Sequence, residues 1–240
     1  MTAKLSWLIT AVLGVIAAAA VAITVPNAVT SWRLTRSGPE PLAPGLAALS
    51  TDQLAELLPK QADFPAGWII KADTEPQQGF GYFAWHKPDR MMGFKPEECA
   101  TVIGVADTGD MRAAEVSGQN PARASEFADI SLTIGREYNP AGFDDMIALI
   151  SRCLRSTATT GPFQFRYTVA ILEDTHPTDG PQRFRYSVTT HYPGPDAKTH
   201  TEYYSYARVS QLVLSGSGSD GHQQLFDPLF DDTLRRIRVR

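Results

Sequence analysis

Residues 163–171 read Phe163-Gln164-Phe165-Arg166-Tyr167-Thr168-Val169-Ala170-Ile171, so a large apolar side chain stands at every second position and the residues between them are mostly polar. The same alternation returns in residues 184–192, which read Phe184-Arg185-Tyr186-Ser187-Val188-Thr189-Thr190-His191-Tyr192. Strict alternation is typical of a β-strand that buries one face and leaves the other in water. Residues 174–182 between them contain prolines and a glycine, which favour a long hairpin loop. The two stretches therefore predict neighbouring antiparallel strands.

Two further runs add to this sheet. Residues 130–134 alternate in the same way and predict a half-buried strand. Residues 201–214 predict a third strand of the hairpin sheet, reached through a turn around Pro193-Gly194-Pro195. The residues that follow, 215–221, are rich in glycine and serine and predict a flexible loop.

Helical signals lie outside these strands. Ser50-Thr51-Asp52-Gln53 is a capping box, and it opens a short helix predicted to run to Leu58. Residues 96–104 and 143–154 each place one cysteine on an apolar helix face. A last helix is indicated by the spacing of Phe226, Phe230, Leu234 and Ile237. The sequence therefore predicts the α+β class, with an antiparallel sheet and helices packed on one of its faces.

The first part of the chain differs in character. No side chain between Leu5 and Val25 is charged, and a mostly apolar stretch of about 20 residues can cross a bilayer as a helix. We predict a short cytoplasmic end at 1–4, a transmembrane anchor at 5–25, a Pro-rich tether at 26–49 and one extracytoplasmic domain at 50–240. This makes the chain a single-pass protein of the cytoplasmic membrane. The alternative is a secreted protein whose signal peptide is cleaved near Ala22.

The chain contains two cysteines, Cys99 and Cys153. Outside the cytoplasm no reducing pool keeps thiols apart, so an even number of cysteines favours a disulfide. The two cysteine-bearing helix faces are apolar and can pack against each other. Two unconnected buried thiols are the alternative. A metal site is disfavoured because no other Cys or His stands at ligand spacing beside either residue.

Composition and motifs argue against several classes of function. With 22 basic and 26 acidic side chains the formal net charge is -4, unlike that of a nucleic-acid-binding protein. No Gly-x-Ser-x-Gly motif marks a hydrolase serine. His176, His191, His200 and His222 stand at no spacing typical of a catalytic triad or a metal site. We predict no enzymatic activity, no cofactor and no nucleic-acid partner, and an uncharacterised hydrolase is the least favoured hypothesis.

The two long strands supply candidate ligand-binding residues. Their polar positions include Arg166, Arg183, Arg185 and His191, so one face of the sheet is predicted to be polar and locally basic. Arginines on this face could bind an anionic component of the cell envelope. The alternative is a solvated face whose arginines serve solubility and edge protection. The aromatic residues 80–85 form a second candidate surface, and burial against the sheet explains them equally well.

Three segments carry a resemblance to a known family. They are Leu57-Leu58-Pro59-Lys60-Gln61-Ala62-Asp63-Phe64-Pro65-Ala66-Gly67-Trp68, the cysteine in Pro96-Glu97-Glu98-Cys99, and Ser151-Arg152-Cys153. With the tether and the strand order, they resemble mycobacterial exported proteins akin to the extracellular sensor domain of the kinase PknH. The resemblance covers most of residues 50–240. It implies an α+β domain outside the cytoplasmic membrane, with a cleft for a ligand and no catalytic residues.

The chain departs from this family in two respects. It has one cysteine pair where the kinase sensor has two disulfides, and no kinase domain lies on the predicted inner side. A signalling role would therefore need a partner. We expect a membrane-anchored or secreted ligand-binding or sensor-like domain, with a cell-envelope interaction or assembly factor as the second hypothesis. The expected partners are the membrane, through the N-terminal helix, and an envelope ligand or protein.

Overall fold

One antiparallel sheet runs through the domain. The computed structural model describes residue 46 and residues 49–73, 93–100, 113–122, 129–136, 142–178, 180–194 and 198–238 of the 240-residue chain. In these ranges the strands are β1 (Ile69–Asp73), β2 (Gly93–Lys95), β3 (Ala113–Gln119), β4 (Ile130–Arg136), β5 (Arg155–Thr160), β6 (Phe163–Thr175), β7 (Gln182–His191), β8 (Thr199–Val209) and β9 (Leu212–Ser219). Their spatial order is β1-β3-β4-β9-β8-β7-β6-β5-β2. The predicted hairpin of β6 and β7 is confirmed.

Three α-helices accompany the sheet in the described ranges: α1 (Thr51–Ala55), α2 (Gly142–Arg152) and α3 (Gln223–Arg238). The capping box at α1 is confirmed, because Gln53 N–H donates to Ser50 Oγ and Ser50 N–H donates to Gln53 Oε1. This helix ends earlier than predicted. The predicted helix around Cys99 begins as a 3-10 turn over Glu97–Cys99, and residues 101–104 lie outside the described ranges.

The two longer helices pack on opposite faces of the sheet, so the prediction of helices on one face is wrong. Helix α2 belongs to a buried cluster, the α2-side cluster, which includes Phe143, Met146, Ile150, Tyr167, Phe184, Tyr186, Tyr206 and Val213. Helices α3 and α1 belong to the α3-side cluster, which includes Leu54, Leu132, Ile134, Ala207, Leu212, Leu214, Phe226 and Phe230. Val213 lies between Leu212 and Leu214 in sequence, and successive strand residues point to opposite faces. The alternation fixes which residues share a face, but it does not say which helix covers that face.

The strand predicted over residues 201–214 is in fact a hairpin. The chain turns at Ser210, whose φ of 56 lies in the left-handed region, and β8 and β9 pair on either side of this turn. The predicted flexible loop at residues 215–221 is also wrong in its first part. Residues 215–219 continue β9, which lies between β4 and β8. Gly216 and Gly218 face the α3 side, where the Phe226 ring packs over them.

The disulfide between Cys99 and Cys153 is confirmed, with a Cα–Cα distance of 5.5 Å. Both residues are fully buried within the α2-side cluster. The bond joins the 3-10 turn that follows the edge strand β2 to the residue after the end of α2. It therefore fastens one edge of the sheet to the helix that covers it.

Tyrosine rings form the centre of the α2-side cluster. Tyr186 stacks between Tyr204, at 4.9 Å between ring centroids, and Tyr206, at 6.1 Å. The Tyr204 hydroxyl donates to Glu202 Oε2 at 3.0 Å. Burial raises the pKa of all three tyrosines, and the neighbouring Glu202 carboxylate adds to this for Tyr204.

This stack predicts a loss of stability in alkali. The folded-state pKa of each phenol lies above its usual value of 10. The contribution of the buried, protonated phenols to the stability of the fold is therefore fully present below pH 10 and is lost as the pH rises through the folded-state pKa values. We expect the free energy of unfolding, from urea titrations followed by circular dichroism, to fall increasingly steeply above pH 10. Tyr204→Phe should make this fall shallower. An unchanged slope in that variant would contradict the assignment.

Several predicted segments lie outside the described residues. These are the cytoplasmic end at 1–4, the transmembrane anchor at 5–25, most of the tether at 26–49 and the aromatic residues 80–85. None of the helices in the described ranges is both long enough and apolar enough to span a bilayer. The tether prediction extends too far at its end, because Leu46 is 1% exposed and belongs to the α3-side cluster.

Candidate functional site

The α3 side of the sheet is divided into two parts. The α3-side cluster draws its strand residues from β1, β3, β4, β8 and β9, and none from β5, β6 or β7. On that second part, directly opposed residues form a row across the strands: Lys95, Thr157, Arg166, His191 and Thr199. Directly opposed residues of an antiparallel sheet point to the same face. Tyr167, next to Arg166, is buried on the other face, which places the row on the α3 side.

A second row runs parallel to the first. It consists of Arg155, Thr168, Thr189 and Thr201, again in direct opposition. The hydroxyls of Thr189 and Thr201 are hydrogen-bonded at 3.1 Å. We call the surface made by these two rows the basic half-face. Its composition of cations and threonine hydroxyls makes it a surface of hydrogen-bond donors that carries positive charge.

The cations of the basic half-face are not neutralised by the described residues. Lys95, Arg155 and Arg166 are exposed, and His191 is half-buried. Within the described ranges none of the three exposed cations forms an ion pair, and neither row contains a carboxylate. Three like charges on neighbouring strands repel one another, so an anion bound between them relieves this repulsion as well as forming ion pairs of its own.

Arg183 and Arg185, predicted to share this surface, lie further along the same face at α3. Arg183 Nη2 donates to Asp231 Oδ1 at 2.6 Å, and its Nε lies 3.4 Å from Glu173 Oε1. The two carboxylates neutralise its charge. The predicted set therefore separates into two pairs, of which Arg166 and His191 stay on the basic half-face.

Arg185 is paired in the same way. Its Nη2 donates to Asp227 of α3, and its Nε donates to Ser205 Oγ at 3.1 Å. These contacts attach α3 to β7 and β8. They leave Arg185 as a structural residue in this conformation, since its donors already have carboxylate and hydroxyl acceptors.

Two cations of the basic half-face were missed by sequence reasoning. Arg155 and Lys95 lie on β5 and β2, and neither strand was predicted. The sequence of β5 is Arg-Ser-Thr-Ala-Thr-Thr, whose buried positions are the small residues Ser156 and Ala158. The sequence signal that could have indicated this strand is its position directly before the Gly161-Pro162 turn, which leads into β6.

The structure brings together a serine, a histidine and an aspartate that stand far apart in sequence. Ser219 Oγ lies 3.1 Å from His222 Nδ1 and donates to Asp129 Oδ1 at 3.3 Å. Asp129 Oδ1 lies 3.7 Å from the same His222 Nδ1. In a catalytic triad the serine and the carboxylate contact different ring nitrogens, so this geometry is not that of a triad.

This cluster has a structural role instead. Asp129 and His222 are both buried, and Asp129 Oδ2 also accepts the Asn120 N–H at 2.7 Å. His222 directly precedes α3, and its carbonyl accepts the Phe226 N–H at 2.9 Å. The cluster thus joins β3, the start of β4 and the end of β9 to the beginning of α3. Among the described residues, no group of three or more His, Cys, Asp or Glu side chains is placed to hold a metal ion.

Comparisons with known proteins identify a fold but no family. No protein-family model and no curated protein matches the chain. The crystal structure of the extracellular domain of PknH from Mycobacterium tuberculosis matches with a TM-score of 0.50 and 9% identity, covering 80% of this chain and 98% of that chain. An uncharacterized protein of Mycobacterium smegmatis, an Rv0999 ortholog, matches with a TM-score of 0.48 and 11% identity, covering 81% and 100%. The predicted resemblance is thereby confirmed at the level of the fold, which this chain shares with the PknH extracellular domain.

Proposed function

We propose that this chain is a non-catalytic extracytoplasmic domain that binds an anionic ligand of the cell envelope on the basic half-face. One observation carries the proposal. Lys95, Arg155 and Arg166 lie on adjacent strands, exposed, without a carboxylate partner among the described residues and surrounded by threonines. Cations used only for solubility are usually mixed with acidic side chains, as Arg183 and Arg185 are in this same sheet.

Two observations support an extracytoplasmic location. A buried disulfide persists in an oxidising compartment and is rare in the cytoplasm. The fold is shared with a domain described as extracellular. In this proposal residues 5–25 anchor the domain in the cytoplasmic membrane or are removed as a signal peptide.

The proposal predicts a loss of anion binding on removing two charges. In Arg155→Ser/Arg166→Ser, the Kd of the full-length oxidised protein for tripolyphosphate at low salt is expected to rise at least about tenfold, equivalent to roughly 1.4 kcal/mol. Isothermal titration calorimetry measures this, and backbone amide shifts in NMR should map the binding to β5, β6 and β7. The matched control is Lys71→Ser, because Lys71 is exposed on the opposite face of β1, opposed to Ser117. Equal losses in the double variant and the control would overturn the proposal.

A second candidate function, protein interaction in the envelope, is supported by exposed aromatic residues. Phe163 is 53% exposed and Tyr192 is 44% exposed, and both lie at the same end of the β6–β7 hairpin. Tyr192 contacts Phe165 edge-on, with ring centroids 5.7 Å apart. Apolar side chains of this size on a surface are a common feature of protein interfaces.

For this second function, Phe163→Ser is expected to abolish capture of an envelope partner in chemical cross-linking within intact cells. Its folded stability should stay within about 0.5 kcal/mol of the parent protein, because the side chain is mostly exposed. Leu172→Ser, which alters an exposed residue at the other end of β6, is the control. Unchanged cross-linking in Phe163→Ser would exclude this end of the sheet as the contact.

A further inference from the structure

The spacing of the cations on the basic half-face restricts the shape of the ligand. Neighbouring strands of a sheet lie about 4.8 Å apart. Lys95 and Arg166 are separated by β5, so their backbones lie about 10 Å apart, and His191 lies one strand further on. Arg155 lies two residues along from this row, a displacement of about 7 Å. A small anion can contact all of these groups only if their side chains bend towards one point, whereas an extended anion can meet each group at its own strand.

Hydroxyl groups occupy the positions between the cations. Thr157 lies between Lys95 and Arg166 in the first row, and Thr168 and Thr189 follow Arg155 in the second row. A threonine hydroxyl both donates and accepts hydrogen bonds, as a sugar hydroxyl does. Cations alternating with such hydroxyls match a ligand in which anionic groups alternate with hydroxyl groups along a chain.

We infer that the ligand of the basic half-face is an extended acidic polysaccharide that lies across strands β2, β5, β6 and β7. This inference rests on the proposed function. The carboxylate or phosphate groups of the polysaccharide contact Lys95, Arg155 and Arg166, and its hydroxyls contact the threonines. The strands hold the backbone of these residues at fixed intervals, so little backbone order has to be gained on binding.

Other polyanions fit this surface less well. Single-stranded nucleic acid is bound by stacking its bases on aromatic side chains, and the two rows contain no aromatic residue except the imidazole of His191. An anionic bilayer is bound by basic residues together with apolar side chains that enter the lipid, and the two rows carry no large apolar side chain. The overall net charge of -4 also disfavours binding that depends on charge alone.

The test compares anions of different length and chemistry on the full-length oxidised protein. Galacturonate monomer, dimer and tetramer are titrated beside tripolyphosphate at equal salt. We expect the Kd to fall at least about tenfold from monomer to tetramer, because only the longer oligomer spans the roughly 15 Å from Lys95 to His191. Arg155→Ser/Arg166→Ser should remove this gain, and Lys71→Ser should keep it.

A second pair of substitutions tests the hydroxyl contacts. Thr168→Val/Thr189→Val removes two hydroxyls while keeping β-branched side chains of similar shape. We expect it to raise the Kd for the galacturonate tetramer at least about threefold while leaving the Kd for tripolyphosphate unchanged. Circular dichroism of each variant confirms that the sheet is intact.

The possible failures are distinguishable. If tripolyphosphate binds as tightly as the tetramer and the valine variant has no effect, the polysaccharide inference is overturned while the proposed function stands. Tighter binding to phosphatidylglycerol vesicles or to single-stranded DNA than to the tetramer also overturns the inference, in favour of those polyanions. If no anion binds at low salt, both the inference and the proposed function are overturned.

Discussion

Replacing both cysteines, in Cys99→Ala/Cys153→Ala, is expected to lower the free energy of unfolding by about 4 kcal/mol. The bond joins residues that are 54 apart in sequence, and it lowers the conformational entropy of the unfolded chain. Without the bond the unfolded chain regains this entropy, which gives the magnitude of the expected loss. Alanine is chosen because both sulfurs are buried among apolar side chains. Urea unfolding of the parent and variant proteins, followed by tryptophan fluorescence, measures the difference.

The parent protein supplies its own control for this prediction. In the presence of a reductant its unfolding midpoint should approach that of the double variant, and the midpoint of the variant should not respond to the reductant. If the free energies of unfolding of the oxidised and the reduced parent protein differ by less than about 1 kcal/mol, the disulfide adds little stability beyond the packing of the α2-side cluster.

The second large effect is expected at a glycine. In Gly216→Val the new Cβ would lie 2.9 Å from Phe226 Cε2 and 2.9 Å from the carbonyl oxygen of Ser131. The carbonyl belongs to the β4 backbone paired with β9, so it cannot move aside without breaking the sheet. Overpacking of this kind typically costs about 1–3 kcal/mol, and we expect a loss near the upper end because valine adds further methyl groups.

A neighbouring position gives the matched control for this substitution. Ser215→Val introduces the same residue one position earlier in β9, on the opposite face, where Ser215 is half-buried. Valine favours strands, so this control should retain the stability of the parent protein within about 1 kcal/mol. Gly216→Ala provides a milder form of the test if the valine variant does not accumulate. Equal stabilities of the Gly216 and Ser215 variants would contradict the packing described for Phe226.

The strands with strong apolar alternation were the ones that could be predicted from sequence. β6 and β7 carry large apolar side chains at every second position, such as Tyr167, Val169, Phe184 and Tyr186, and this signal needs no tertiary information. β9 was misassigned beyond Leu214 because its buried positions there are glycines, which the alternation rule does not count as apolar. Their burial depends on Phe226, a residue of another element.

The candidate site could be predicted from the sequence only in part, because alternation along a strand gives the face of a residue but not its partners from other elements. The alternation along β7 places Arg183, Arg185 and His191 on one face, as the structure confirms. This alternation does not show that Asp227 and Asp231 of α3 pair with the two arginines. Those carboxylates come from a helix that follows β7 by two strands, so their position depends on the topology of the whole sheet.

The position of β9 in the sheet has a consequence for how the protein is made. Strands β1, β3 and β4 form one block, strands β8, β7, β6, β5 and β2 form another, and β9 joins the two. Among the described strands it also comes last in sequence. While residues 212–219 are still inside a ribosome or a translocation channel, the two blocks have exposed edges and no common sheet. The nascent polypeptide therefore stays open until β9 has emerged, and a chain truncated before Leu212 leaves two unpaired half-sheets for chaperones or proteases to handle.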